Sequence, residues 1–135
     1  MSINNSTKNL ERIIHILFVD DGSYLVGITK ELLERLGYII TSVHNSIEAI
    51  ELIREYHDVF DVMITDYSMP GMNGIDLAIE ANTLLADIPI ILYTGKVELI
   101  DKEKITETGI NEIVCKPCKI NNLDTIIKNV IDQNR

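Results

Sequence analysis

Basic residues are in short supply: 12 Lys and Arg stand against 21 Asp and Glu in 135 residues, a formal net charge of −9. A phosphate backbone selects basic surface, so direct nucleic-acid binding is not expected. Long apolar runs are missing too. None approaches the ~18 residues a membrane-spanning helix needs, and direct membrane contact is not expected. The polar start, residues 1–12, lacks the apolar stretch of a signal peptide, so the overlapping sequons at Asn4 and Asn5 do not argue for secretion. Cysteine is scarce. Cys115 and Cys118 cannot build a disulfide framework, which fits a reducing, cytoplasmic setting. The three histidines, His15, His44 and His57, are scattered without metal-ligand spacing and read as core or surface residues. Internal repeats and low-complexity segments are absent.

What is present is an ordinary globular balance, 46% hydrophobic and 24% charged, in a length that suits one domain. The expected organisation is a polar tail or linker over 1–10 and one domain over 11–135. Apolar runs predict strands at 13–19, 39–43, 59–65, 88–93 and 112–115. Helical periodicities alternate with them. Leu25, Ile28, Leu32 and Leu36 form the expected inner stripe of the first helix, closed by Gly37. Asn45 and Glu48 resemble a capping box opening a second helix with Ala49, Ile50 and Ile53 inward. A third starts near Ile75 with Ala78, Ile79 and Leu85 on one side. A weakly amphipathic fourth spans 98–107, and a fifth carries Leu123, Ile126, Ile127, Val130 and Ile131 behind Asn121 as N-cap. Five strand–helix repeats with short apolar strands imply a doubly wound α/β fold, a parallel sheet covered on both faces. Such sheets bind ligands beyond the carboxyl ends of their strands.

The strand ends hold the chemistry. Strand one ends in Asp20-Asp21, strand three in Asp66, strand four in Thr94 and strand five in Lys116. Clustered carboxylates repel unless a cation sits among them. Hard oxygen ligands suit Mg²⁺, whereas Zn²⁺ would want His or Cys. A carboxylate there can attack phosphorus to form an acyl phosphate, and an ammonium and a hydroxyl can stabilise the charge on the transferring group.

The chain resembles the receiver domain of two-component response regulators. The resemblance covers residues 13–132 and rests on four motifs: Phe18-Val19-Asp20-Asp21, the run from Ile64 through Asp66 and Met69-Pro70-Gly71 to Gly74, Leu92-Tyr93-Thr94-Gly95, and Cys115-Lys116-Pro117. It implies a flavodoxin-like, five-stranded parallel sheet; the order 2-1-3-4-5 comes with the resemblance and not from the residues. It further implies that Asp66 accepts a phosphoryl group from a phosphohistidine of a sensor histidine kinase or histidine phosphotransfer domain. Mg²⁺ would be held by Asp20, Asp21, Asp66 and the backbone carbonyl of Ser68. Thr94 and Lys116 would bind phosphoryl oxygens, and a cis Lys116-Pro117 bond would fix the lysine's approach. Such a domain catalyses its own phosphorylation and dephosphorylation, yet is mainly a signalling switch; pairing as a homodimer stays open. Departures exist. Ile113 stands where the family's switch usually pairs an aromatic residue with the threonine, Asn73 replaces a frequent Asp, and Lys96 and Ser68 occupy positions that tune phosphate lifetime.

Two other readings compete. Cys115-Lys116-Pro117-Cys118 is a C-x-x-C sequence of the thiol redox type, although both cysteines also suit core or rim sites as small hydrophobes. A degenerate, non-phosphorylated interaction domain would lack some of Asp20, Asp21, Asp66, Thr94 and Lys116, and all five are present. Free-standing regulator and receiver of a hybrid histidine kinase both remain open.

Overall fold

The computed structural model describes residues 12–22, 24–84 and 87–133, with Leu25 described by its backbone alone. The expected tail over 1–10 and Leu85 lie outside the described residues. In chain order the elements are β1 (His15–Val19), α1 (Tyr24–Arg35), β2 (Ile39–Val43), α2 (Ser46–Glu55), β3 (Val62–Thr65), α3 (Gly74–Leu84), β4 (Ile90–Thr94), a 3-10 turn (Val97–Leu99), α4 (Lys102–Ile105), β5 (Glu112–Cys115) and α5 (Ile120–Gln133). All strand pairs are parallel, and the sheet order is β2-β1-β3-β4-β5. This is the doubly wound fold expected.

Alternation along the strands feeds two cores. Leu17, Val19, Met63, Ile90 and Leu92 face Ala49, Ile50 and Ile53 of α2 and Leu77, Ala78 and Ala81 of α3. Ile16, Phe18, Val62, Ile64, Ile91 and Tyr93 face Val26 and Leu33 of α1 and Leu123, Ile127 and Val130 of α5. Fully burying each such side chain contributes roughly 1.5–3 kcal/mol before conformational entropy is counted, so the central strands are fixed far more firmly than the loops they carry.

Local signals fix several ends. Gly37, at φ 102°, closes α1 with its N–H on the Glu34 carbonyl and the Tyr38 N–H on the Leu33 carbonyl, a Schellman closure. Asn45 accepts the Glu48 N–H at 2.9 Å and caps α2 as expected.

Other expectations are corrected. Among the described side chains of α1 the buried ones are Val26 and Leu33, whereas Ile28 and Leu32, and Leu36 just past the helix, are exposed. At about 100° per residue, position 28 points roughly 200° away from position 26; the helix carries two apolar stripes and the sheet takes the other one. Ile79 of α3 is likewise exposed, and Leu77 and Ala81 are buried with Ala78. The third strand begins at Val62, and the fourth begins at Ile90, after Pro89, and ends with Thr94. Residues 98–107 do not form one helix, because Asp101 intervenes and its side chain accepts the Glu103 N–H as the cap of a single turn. Helix α5 starts at Ile120, so Asn121 lies inside it and is not its cap.

Candidate functional site

Three backbone hydrogen bonds extend the sheet past the ends of its strands. The Asp20 N–H donates to the Val43 carbonyl, the Asp66 N–H to that of Val19, and the Lys116 N–H to that of Thr94. The polar residues that follow β1, β3 and β5 are thus held as rigidly as strand residues. Asp20, Asp66, Thr94 and Lys116 all stand at the carboxyl edge of one sheet.

Asp20 is 1% exposed. Its Oδ1 accepts the Gly22 N–H, a turn for which Gly22 adopts φ 77°, a region that costs glycine little. Its Oδ2 is buried with no hydrogen-bond partner among the described residues. Burial pushes this carboxyl above its ordinary 3.8, and the neighbouring Asp21 charge adds to the rise, while the Gly22 N–H, His44 and Lys116 pull it down. A buried, partnerless carboxylate oxygen is costly by itself and fits a cation. Asp21 follows it, exposed. Among the described residues no three His, Cys, Asp or Glu side chains gather closely enough to hold a metal between them. The expected carboxylates therefore share one edge without closing a cage. Mg²⁺ suits that arrangement, because it keeps several waters and takes only one or two carboxylates.

Asp66 is half-buried and fully engaged. Its Oδ1 accepts the Tyr67 N–H at 2.7 Å and its Oδ2 accepts from Lys116 Nζ at 3.1 Å. The loop behind it is pinned by the Gly74 N–H on the Tyr67 carbonyl and by the Ser46 hydroxyl on the Met72 carbonyl. Asn73 accepts the Asp76 N–H at 2.9 Å at the start of α3, holding the helix start as the frequent Asp also could.

Thr94 is 1% exposed, and its Oγ1 accepts the Lys96 N–H at 3.1 Å. Its own hydroxyl hydrogen is left to donate elsewhere. Lys96 Nζ donates to Ser68 Oγ at 3.2 Å, joining the loops after β3 and β4. Ile113 is half-buried and packs against the α2–α3 core. The Lys116-Pro117 bond is cis, as expected.

Two contributors were not legible. His44, read as a core or surface residue, is exposed but lies 3.8 Å from Asp20 Oδ1. Tyr93, which the sequence showed only as part of the Leu92–Gly95 motif, is buried in the α1–α5 layer and also presents its ring 5.2 Å from Lys116 Nζ. Nothing in the spacing pairs His44 with Asp20; the register His15 to Ile39 and Val19 to Val43 sets the ends of β1 and β2 side by side. Cys115 is exposed, which corrects its reading as a core residue; against the redox reading, burial pushes the Cys118 thiol up, opposite to what a reactive thiol needs.

The model of the response regulator receiver domain family matches residues 16–128. This chain belongs to that family. It is 33% identical over 118 residues to the two-component response regulator ORR22 of rice, covering 87% of this chain and 17% of the relative. Chemotaxis protein CheY1 of Helicobacter pylori is 39% identical over 108 residues, 76% of this chain and 84% of that one. The solved receiver domain of sensor histidine kinase PA1611 of Pseudomonas aeruginosa, which has a magnesium ion coordinated in its active site cleft, superimposes with a TM-score of 0.79. It is 25% identical and covers 90% of this chain and 99% of its own. The receiver thus spans about a sixth of the rice regulator's length and most of the chemotaxis protein's. Among its described residues no helix is long and apolar enough to cross a membrane.

Proposed function

We propose that this receiver accepts a phosphoryl group on Asp66 in a Mg²⁺-dependent step and changes its protein contacts in response. The observation that carries the reading is the Asp66 carboxylate, fixed at a strand end and paired with Lys116 at 3.1 Å. The donor is a phosphohistidine of a histidine kinase or phosphotransfer domain. An Asp66 oxygen attacks phosphorus, the P–N bond breaks, and its electron pair stays on the imidazole, which leaves as a neutral ring carrying the proton already on its other nitrogen. Mg²⁺, held by Asp20, Asp21, Asp66 and the Ser68 backbone carbonyl, would neutralise charge on the phosphoryl oxygens. Lys116 turns its ammonium to one of those oxygens, and Thr94 donates its free hydroxyl hydrogen to another. Slow hydrolysis of the acyl phosphate through the same site resets the domain.

The added group brings about −1.5 to −2 charges. Drawing Thr94 toward it would disturb the Lys96 and Ser68 contacts and the short elements over 97–105. Ile113 has no ring to swing inward, so the loops after β3 and β4 carry the switch in this reading. The receiver, over 11–135, works in the cytoplasm through protein contacts, either free-standing or within a hybrid histidine kinase.

Incubation with acetyl phosphate and Mg²⁺, followed by intact mass, tests the proposal. One phosphoryl mass should add to the wild type, none to Asp66→Ala, and none in EDTA. Absence of the wild-type adduct, or equal addition to Asp66→Ala, overturns it.

A further inference from the structure

Tyr93 does more than fill space. It is 5% exposed and lies in the layer between the sheet and helices α1 and α5. Two contacts reach from it to the segment that carries the phosphoryl-binding ammonium. Lys116 Nζ lies 5.2 Å from the ring centroid. Beyond Pro117, the Cys118 N–H donates to Tyr93 Oη at 3.4 Å. One buried side chain therefore touches the segment on both sides of the proline, while the Lys116 N–H is fixed to the Thr94 carbonyl next along β4.

The physical consequence concerns the lysine head. A lysine stem is long and rotamer-rich, so its ammonium is poorly placed unless something confines it. An aromatic face attracts a cation within about 6 Å of its centroid, and more strongly where water is excluded. The Lys116 side chain is only 26% exposed. A second carboxylate could also hold the ammonium, but it would compete with phosphoryl oxygens for the N–H donors. A ring attracts the charge without binding it in one direction, and the ammonium can pass from Asp66 to a phosphoryl oxygen.

We propose that Tyr93 is a positioning residue whose ring holds the Lys116 ammonium at the phosphoacceptor. This rests on the reading of Asp66 as acceptor and Lys116 as its phosphoryl-binding cation.

The test uses the full chain with acetyl phosphate and Mg²⁺, following intact mass against time and donor concentration. Tyr93→Leu should lower the saturating labelling rate about three- to tenfold with little change in half-saturating concentration. Tyr93→Phe, which keeps the ring, should stay within about twofold of wild type. In a Lys116→Ala background, Tyr93→Leu should cause no further loss. Tyr93→Met serves as a second ringless variant where the leucine protein folds poorly. Independently of activity, NMR of the unphosphorylated protein should show the Lys116 ε-methylene protons shifted upfield by the ring in wild type and Tyr93→Phe. Wild-type labelling rates in both ringless variants overturn the inference. So do equal losses in Tyr93→Phe and Tyr93→Leu, an undiminished loss in the Lys116→Ala background, or an unshifted wild-type Lys116. A wild type that takes no phosphoryl group refutes the Asp66 reading, and the NMR shift then decides the Tyr93–Lys116 contact separately.

Discussion

Replacing Asp20 by asparagine should make the metal-free protein more stable while removing its Mg²⁺ response. The substitution keeps the shape of the side chain, and the amide oxygen can still accept the Gly22 N–H that Asp20 Oδ1 accepts now. What changes is the other atom: a partnerless, buried carboxylate oxygen becomes a neutral amide nitrogen. A buried unsatisfied neutral group costs about 1–3 kcal/mol and a charged one more. Part of that difference is already offset by attraction to His44 and Lys116, leaving a net gain of about 1–2 kcal/mol at neutral pH. In a domain of this size that raises Tm by about 3–8 °C. The sign with pH follows from burial. Because the folded-state pKa lies above 3.8, the wild type is at no disadvantage below the unfolded carboxylate range. It loses stability as pH rises through the raised value. Thermal melts in EDTA across a pH series should show the advantage of Asp20→Asn opening on the way from acid to neutral. Adding Mg²⁺ should then raise the wild type alone, by about 2.7 kcal/mol at a hundredfold excess over Kd. A variant that melts below wild type in EDTA at neutral pH, or a gap of constant size down into acid, would refute the reasoning.

Three further outcomes are expected. Gly74→Ala should destabilise the fold by more than about 2 kcal/mol, because an added Cβ would lie 2.1 Å from the Asp66 carbonyl oxygen and 2.9 Å from Leu92 Cδ1. Denaturant melts read that loss, and slower labelling from acetyl phosphate reads the displaced acceptor. Tyr38→Phe removes the hydrogen bond to Asp124 that joins the end of α1 to α5 and should cost about 1–2 kcal/mol by urea denaturation. Burial, with the Asp124 contact, raises the Tyr38 pKa above 10.0. That stability is therefore complete below the unfolded value and lost as pH rises beyond it, so the two proteins should converge in strong alkali. Asn45→Ala should cost about 1 kcal/mol by removing the cap of α2, with no loss of labelling at Asp66.

The strand ends were legible because a parallel sheet turns local pattern into position. Short apolar runs must be buried, their ends must emerge on one edge, and Asp20, Asp66, Thr94 and Lys116 stand at the ends of those runs. Caps at Gly37 and Asn45 were legible for the same reason, since each acts within a few residues. Local pattern therefore set the alternation of strands and helices, the two-faced core, and the residues that meet at the sheet edge. Long-range packing settled which of two apolar stripes α1 buries, that residues 98–107 break at Asp101, and that His44 approaches Asp20. It also decided that Tyr93 reaches Lys116 and that Asp20 Oδ2 is left without a partner. Each of these depends on what distant parts of the chain bring together. Periodicity gives the direction of a side chain relative to its own backbone, whereas a contact or an unsatisfied oxygen depends on what the neighbouring elements bring to that point in space.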